Sequence, residues 1–416
     1  LGMVVRESTL FITGRVKAEQ PAGEMLHRGI AGRAFERRFT LADHMVVVSA
    51  ELQNGLLHVN LRREVPEALK PRTIAIKQAN AKGLIKGWKI EFDPQDDQED
   101  PNTGGAAASK LASDSAVAGV IGTLQSSIAL QAAPQLNKQN IVLISPANTN
   151  PSLTQGQDYL KTKKRPFASY FRDATTDLIQ GAFAADFAVE TLKAKTVYLV
   201  NDKLVYGQGL DQAFATEFTK KGGKVLATDF VTKDQKEFGS LVSKVKAAKP
   251  DLVFYGGQFP EGAPFAKQLA DGGVKAPFMG GDGLVDKGFV ATIGVKSGPY
   301  YATNVGAAVE DLPTAKAYVE AYKAGGYKED FSAYGPNTYD CAQVLIAALA
   351  KVLPGKTAID DTVRAAIVKA VQSSNLEGAT GKVSFDEFGD TTNRIITMYK
   401  VDAGDFKKKT TGSFAG

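Results

Sequence analysis

The sequence predicts two α/β lobes preceded by a short all-β piece, and three observations carry that expectation. From about Lys77 onward, strand-like runs alternate with helix-like ones, the pattern of parallel sheets covered by helices on both faces. The alternation falls into two series, so two doubly wound sheets are expected. Before Lys77 the chain carries only short β-prone runs. At 416 residues it is also too long for one ordinary core.

In the first piece the β-prone runs are Leu10–Thr13, Ala34–Leu41, Val46–Leu52 and Leu56–Leu61, with Asn54-Gly55 as a turn signal. Leu57-His58-Val59-Asn60-Leu61 alternates as a half-buried strand does. The Pro-containing stretch Pro66–Pro71 ends the piece. The first α/β series then reads strand Lys89–Phe92, helix Thr103–Ser115, strand Ala118–Ile121, helix Ser127–Asn140 and strand Ile141–Ile144. A loop of Pro, Asn, Ser and Thr follows. The second series runs from strand Ala168–Arg172 through helix Asp177–Leu192, strand Thr196–Asn201, helix Tyr206–Lys221 and strand Val225–Val231. It continues with helix Phe238–Ala248, strand Leu252–Gly256, helix Glu261–Asp271 and strand Pro277–Gly280. Helices Thr314–Ala324, Tyr334–Lys351 and Asp361–Ser373 and a closing strand, Asn393–Val401, complete the expectation.

Composition narrows the function. The formal charge of +5 is small and mixed in sign, which argues for solubility and against a nucleic-acid partner. The runs Lys163–Arg165 and Lys407–Lys409 are read as solvated loop and tail charges. No apolar run approaches the roughly 18 residues of a membrane span, and no signal peptide is expected within this chain. Cys341 is the sole cysteine, so an internal disulfide and multi-cysteine metal sites are excluded. Its apolar setting, Cys341–Ala350, predicts a buried thiol. All three histidines (His27, His44 and His58) lie in the first piece. The lobes therefore hold no Ser-His-Asp triad, Cys-His pair or histidine metal site. Most hydrolase mechanisms are thereby excluded, an enzyme using carboxylates alone stays open, and no cofactor or metal is expected.

From about residue 75 to 405 the chain resembles the leucine/isoleucine/valine-type solute-binding proteins of ABC importers. The motifs that carry the resemblance are Ala75-Ile76-Lys77-Gln78-Ala79-Asn80-Ala81-Lys82-Gly83, Val120-Ile121-Gly122-Thr123-Leu124-Gln125-Ser126-Ser127 and Ile144-Ser145-Pro146-Ala147-Asn148-Thr149. To these are added Asn201-Asp202-Lys203 with Tyr206-Gly207-Gln208-Gly209, Phe254-Tyr255-Gly256-Gly257 with Pro260-Glu261, and Phe278-Met279-Gly280-Gly281-Asp282-Gly283. The resemblance implies a type I periplasmic-binding-protein fold, two lobes joined by three chain crossings, here near Arg172, Tyr301 and Phe388. It assigns residues 77–171 and 302–388 to lobe 1 and residues 172–301 and 389–416 to lobe 2. It also implies an extracytoplasmic, periplasmic carrier that holds a free amino acid, branched-chain or otherwise aliphatic, for a membrane permease.

Residues 4–76 are similar to something unrelated, the α-crystallin domain of small heat-shock proteins. Gly29-Ile30-Ala31-Gly32-Arg33-Ala34-Phe35-Glu36-Arg37-Arg38-Phe39, Leu41-Ala42-Asp43 and Ala50-Glu51-Leu52-Gln53-Asn54-Gly55-Leu56-Leu57 carry the match, and Ile74-Ala75-Ile76 fits that family's I-x-I docking motif. Self-association, or the holding of unfolded clients by residues 1–76, is the alternative function this implies. Both resemblances are truncated at one seam, as in a chimeric gene.

An amino acid presents a carboxylate, an ammonium and a side chain, each needing a different partner. Ser126 and Ser127 follow strand Ala118–Ile121 at a helix start, where free N–H groups and hydroxyls suit a carboxylate; a plain helix cap is the alternative. The resemblance makes Ser126 the carboxylate ligand, with Ala147 and Thr149 after the next strand; on pattern alone Thr149 is a turn residue. Asp282, between glycines at a strand end, can pair with the ammonium or form an Asx turn. Tyr206 offers a hydroxyl and a ring face. Leu124, Gln125 and Tyr334 line the side-chain end in the resemblance, as does Gln258, where the leucine-type members commonly have tyrosine.

The resemblance also implies that the first strand of lobe 1, central between Lys89–Phe92 and Ala118–Ile121, is missing with its pocket loop. A buried parallel strand wants a continuous apolar run. Met45-Val46-Val47-Val48 is therefore expected to fill the slot, with Leu56–Leu61 as the alternative.

Overall fold

The computed structural model describes residues 2–6, 9–14, 34–41, 45–54, 56–63, 70–295, 297–327 and 331–414. Gly29–Arg33, Ala42, Asp43, Gly55, His27, His44 and Pro66 thus lie outside the described residues. The chain divides into two compact units, Leu1–Leu69 and Lys70–Gly416.

The first unit is all β. Strands β1 (Gly2–Arg6), β2 (Thr9–Gly14) and β3 (Phe35–Thr40) pair antiparallel in that order, and β4 (Met45–Gln53) pairs with β5 (Leu56–Arg63) as a hairpin. Strand β1 was not expected. Asn54 has φ +51° in the hairpin turn, a conformation asparagine tolerates. Leu10, Ile12 and Leu41 form a small core with Val47, Leu57 and Val59 packed on it.

That core overturns the expected strand recruitment. Among the described residues, β4 pairs only with β5, and no lobe-1 strand takes a partner from residues 45–61. The hairpin closes over a short turn, which costs little entropy, and its inward side chains bury within their own unit.

The second unit is the two-lobed α/β body. Lobe 1 opens with α1 (Lys70–Ala81), α2 (Pro101–Ser113), β6 (Gly119–Ile121), α3 (Ser126–Asn137), β7 (Val142–Ser145), the short α4 (Ser152–Gln155) and β8 (Tyr170–Arg172). Lobe 2 follows with α5 (Asp177–Glu190), β9 (Thr196–Asn201), α6 (Val205–Lys220), β10 (Lys224–Phe230), α7 (Gly239–Ala248), β11 (Leu252–Gly256), α8 (Phe259–Asp271), β12 (Phe278–Gly280), α9 (Lys287–Ile293) and β13 (Tyr300–Val305). The chain returns to lobe 1 for α10 (Lys316–Ala324), α11 (Gly335–Val352), α12 (Asp361–Gln372) and the hairpin β14 (Asn375–Gly378) with β15 (Gly381–Ser384). It ends in lobe 2 with β16 (Ile395–Asp402) and β17 (Asp405–Ser413).

The lobe-2 sheet has the order β10-β9-β11-β12-β13-β16-β17, parallel as far as β13 and antiparallel beyond it. Its strands alternate between two cores. Tyr198, Val200, Val253 and Tyr255 face the side of α7, α8 and α9, whereas Val197, Leu199, Leu252 and Phe254 face α5 and α6. The lobe-1 sheet is shorter, β6-β7-β8, all parallel. Val142 and Ile144 pack under α11 and α12, and Leu143 packs under α3. Cys341 is buried on the α11 side with its thiol free, as expected.

Several expectations need correction. Lys89–Phe92 is not a strand, because it has no strand beside it. The side chain of Asn80 substitutes, its Nδ2 donating to Ile90 O at 2.8 Å and its Oδ1 accepting from Ile90 N at 2.9 Å. Tyr301 is not a crossing but part of β13, so the chain leaves lobe 2 only after Val305. Ile74-Ala75-Ile76 is helical, inside α1, with Ile74 and Ala75 packed against Tyr318, Tyr339 and Ile346. The compact units accordingly part at Leu69 rather than after Ile76. Arg165 is no solvated loop charge: its guanidinium donates to the carbonyls of Phe167, Ala168, Tyr170 and Glu387 and lies 4.7 Å from the Phe171 ring. Lys407–Lys409 belong to the edge strand β17 rather than a tail, where exposed lysines discourage pairing with another sheet.

Candidate functional site

The site is assembled where both parallel sheets present their carboxyl ends, beside the chain crossings. Arg172, fully buried at the end of β8, fixes that junction. Its Nε donates to Asp390 Oδ1 at 2.6 Å, Nη1 donates to the carbonyls of Asn148 and Asn150, and Nη2 donates to Thr154 Oγ1. Burial pushes the Asp390 carboxyl up, but the Arg172 charge beside it wins and holds it below the usual range. Arg172 N also donates to Gly389 O at 3.1 Å, so the first and last crossings run side by side. The Asn148–Asn150 loop is thereby held by a cation that has no freedom to leave.

On lobe 1, Ser126 opens α3, whose N-cap is Gln125; the Gln125 Oε1 accepts from Ser126 N at 2.9 Å. The capping role therefore falls to Gln125, and the buried Ser126 Oγ has no partner among the described residues. Ala147 is buried with its N–H on Ser145 Oγ. Thr149 is wholly buried, and its Oγ1 likewise lacks a partner among the described residues. Leu124 is 44% exposed, and its carbonyl accepts from Asn148 Nδ2 at 2.8 Å.

On lobe 2, Tyr206 is the second residue of α6 and Asp282 begins a 3-10 turn after β12. Asp282 Oδ1 accepts from Tyr206 OH at 2.8 Å and from Gln180 Nε2 at 2.9 Å, and its Oδ2 accepts from Tyr334 OH at 2.7 Å. Tyr334 comes from lobe 1, as the N-cap residue of α11. Burial raises the Asp282 carboxyl and the three donors oppose that rise. Gln258, half-buried, is the N-cap residue of α8 and makes no side-chain cap bond.

Tyr334–Asp282 is one of several bonds that join the lobes. Val205 N donates to Ser127 Oγ at 3.1 Å, Asn150 Nδ2 donates to Val205 O at 2.8 Å, and Lys233 Nζ donates to Glu99 O at 3.2 Å. The α6 start is positioned by an unusually close approach. A Cβ added to Gly207 would lie 2.2 Å from Gly256 O, and one added to Gly256 would lie 2.2 Å from Gly207 O.

The residues that sequence reading missed are Asp177 and Gln180, on the first turn of α5. Both are wholly buried. Gln180 Oε1 has no partner among the described residues, and the Asp177 carboxyl faces only the side chains of Thr149 and Asn150, with no cation paired to it. Burial pushes Asp177 up to about 8. Their spacing of three residues, which puts two side chains on one helix face, was the available signal.

Buried polar groups without partners, Ser126 Oγ on lobe 1 and Gln180 Oε1 on lobe 2, lie on the elements that meet where the two sheets end. A periplasmic binding protein model matches residues 73–407, and an Hsp20/alpha crystallin model matches residues 1–77. An amino acid binding protein of Pseudomonas aeruginosa is 32% identical over 332 residues, 79% of this chain and 83% of that protein. The Leu/Ile/Val-binding protein BraC3 of Rhizobium johnstonii is 32% identical over 330 residues, 79% of this chain and 85% of that protein. The branched-chain amino acid transporter substrate binding protein LivJ of Streptococcus pneumoniae, in complex with isoleucine, superposes with a TM-score of 0.71 at 25% identity, over 84% of this chain and 94% of that one. A leucine binding protein of Thermotoga maritima shares the fold with a TM-score of 0.73 at 24% identity, over 84% of this chain and 95% of that one. The chain belongs to the periplasmic binding protein family, with an Hsp20-type segment at its N-terminal side.

Proposed function

We propose that this chain captures an α-amino acid between its two lobes and delivers it to the membrane permease of an ABC importer, as an extracytoplasmic, periplasmic carrier and not as an enzyme. The observation that carries the reading is the division of unpartnered buried groups. Ser126 Oγ offers a donor for a carboxylate at the α3 N-terminus, and Thr149 Oγ1, beside Asp177, stands between the two sets. Asp177 and Gln180 Oε1 offer acceptors for an ammonium next to Asp282. A zwitterion satisfies both sets, and each buried group left unpaired costs about 1–3 kcal/mol. Leu124 and Gln258 then stand at the side-chain end, with Gln125, Ala147, Tyr206 and Tyr334 completing the walls. A branched-chain or other aliphatic ligand is supported by the relatives named for leucine, isoleucine and valine. A permease partner is supported by the relative named as a transporter substrate binding protein, and no described helix is long and apolar enough to cross a membrane.

Isothermal calorimetry against the twenty amino acids tests this. At least one aliphatic or small polar amino acid should bind at micromolar affinity or tighter, roughly 8 kcal/mol or more. No heat with any of them defeats the reading. Ser126→Ala should weaken binding modestly, because backbone N–H donors of α3 remain.

A second activity is supported by the N-terminal unit alone, through self-association or the holding of unfolded clients. Phe39, Val48, Leu52, Leu56 and Leu61 are exposed there, and exposed large apolar side chains are what self-association or client binding would use. Suppressed aggregation of a client protein, measured by light scattering without any amino acid present, would support it; unchanged aggregation would dismiss it.

A further inference from the structure

The loop that leads into α2 is shaped to receive a cation, and the cation it receives belongs to the other lobe. Residues 93–100 carry the carboxylates of Asp93, Asp96, Asp97, Glu99 and Asp100. Gln98 and Glu99 have φ of +52° and +51°, a left-handed backbone that disfavours any residue with a Cβ. Two side chains hold that turn. Asp96 Oδ1 accepts from Gln98 N at 2.9 Å, and Asp97 Oδ1 accepts from Glu99 N at 3.0 Å. Two adjacent carbonyls are thereby turned toward lobe 2, where Lys233 Nζ donates to Gln98 O at 3.4 Å and to Glu99 O at 3.2 Å. Lys233 is presented in the same manner. Asp234 has φ +63°, and its N–H donates to Glu261 Oε1 at 2.9 Å. Left-handed residues held by carboxylates thus flank the contact on both lobes, and backbone strain of this kind clusters at clamps and switches.

Position gives the contact leverage. Lys233 follows β10, the edge strand of the lobe-2 sheet, and four strand spacings separate β10 from β13, where the chain leaves lobe 2. At about 4.8 Å per strand the distance is about 19 Å. A bond so far from the crossings opposes the opening of the lobes more effectively than one beside them.

We propose that residues 96–100 are a receptor for the Lys233 ammonium, and that the pair is a latch that sets how long a captured amino acid stays between the lobes. This rests on the amino-acid reading and adds what governs release. Lys233 is a positioning residue, acting through the closure of the lobes.

The charges decide how the latch responds to salt. Its bonds go to main-chain carbonyls, while the Asp97, Glu99 and Asp100 carboxylates of lobe 1 stand near enough for the Lys233 charge to act on each. Glu99 also faces Asp234 and Glu261 across the cleft. With the lysine in place the two rims attract. Without it, carboxylates of both lobes face one another and repel. Added salt screens either interaction, so it hastens release from the wild type and slows release from a chain that lacks the lysine.

The test is stopped-flow release of L-leucine and L-isoleucine from the full chain, in low and in high salt. Lys233→Gln should release about fivefold faster than wild type, the scale of an exposed charged contact. Its association rate should be little changed, and its salt dependence should be reversed. Lys233→Arg should restore the wild-type rate. Lys236→Gln, which removes an equal charge three residues on, should leave that rate unaltered. The receptor can be tested from its own side. Gln98→Gly should keep the wild-type rate, since glycine takes the left-handed turn freely, whereas Gln98→Val, which resists it, should release faster. Melting without ligand separates these effects from misfolding, because Lys233→Gln should melt with the wild type. Wild-type release from Lys233→Gln, an unreversed salt dependence there, or equal release from the two Gln98 variants would overturn the latch. A wild-type chain that takes up neither these nor any other amino acid would remove the proposed function, and the latch's role with it.

Discussion

The two lobes share one βα grammar and finish it differently. In lobe 2, β9 and β11 each lie between two strands and are buried almost throughout. In lobe 1, β6 has β7 on one side only, and all three of its residues are half-buried. Helices cover both lobes, so helices alone do not bury a parallel strand. A neighbour at each edge is needed as well, and where it is lacking a single side-chain amide, that of Asn80, satisfies one residue of backbone. Lobe 2 should accordingly be the more cooperative body.

Substitutions can break or sharpen that contrast. Phe254 is wholly buried in lobe 2 and stacks on Phe214 with ring centroids 3.9 Å apart. Phe254→Ala should cost about 3–5 kcal/mol in denaturant unfolding. A like-for-like pair is more telling. Val200→Ala in β9 should cost about 2–3 kcal/mol and Val120→Ala in β6 only about 1 kcal/mol, in proportion to the apolar area each buries. Equal losses at the two valines would remove the contrast. Asn80→Ala should cost about 1 kcal/mol and, in hydrogen exchange, speed the Ile90 amide while leaving β11 amides unchanged. Smallest of all, Lys408→Ala, which loses a surface ion pair to Asp311, should change stability by less than about 1 kcal/mol and less still in high salt. A larger loss there would make the β17 edge a structural element of lobe 2 rather than a solvated rim.

The parallel strands of lobe 2 were legible because their apolar runs are continuous and their helices periodic. Thr196–Asn201 and Leu252–Gly256 were read without error. Strand β17 was not legible, since Lys407-Lys408-Lys409-Thr410-Thr411 has no apolar face to reveal it. Lys89–Phe92 failed in the opposite way: its residues suit a strand, but strand formation depends on a partner that residue types do not encode. The candidate site shows the same limit. Ser126, Thr149, Tyr206, Asp282 and Tyr334 could be marked through a family resemblance, and the last three converge by hydrogen bonds. Asp177 could not, because an acidic residue in the first turn of a helix is the ordinary complement of its dipole. Beyond its three-residue spacing from Gln180, only its complete burial distinguishes it.

The contact between Gly207 and Gly256 has a consequence for how this site could drift. Tyr206 owes its place over Asp282 to two main chains touching where neither carries a methyl group. One added carbon at either glycine would act as a wedge, prising the start of α6 off β11 and swinging the tyrosine hydroxyl off its carboxylate. On the proposed reading, ligand preference can therefore be retuned from a position no ligand meets, and a search confined to the proposed lining would overlook the hinge pin on which Tyr206 is hung.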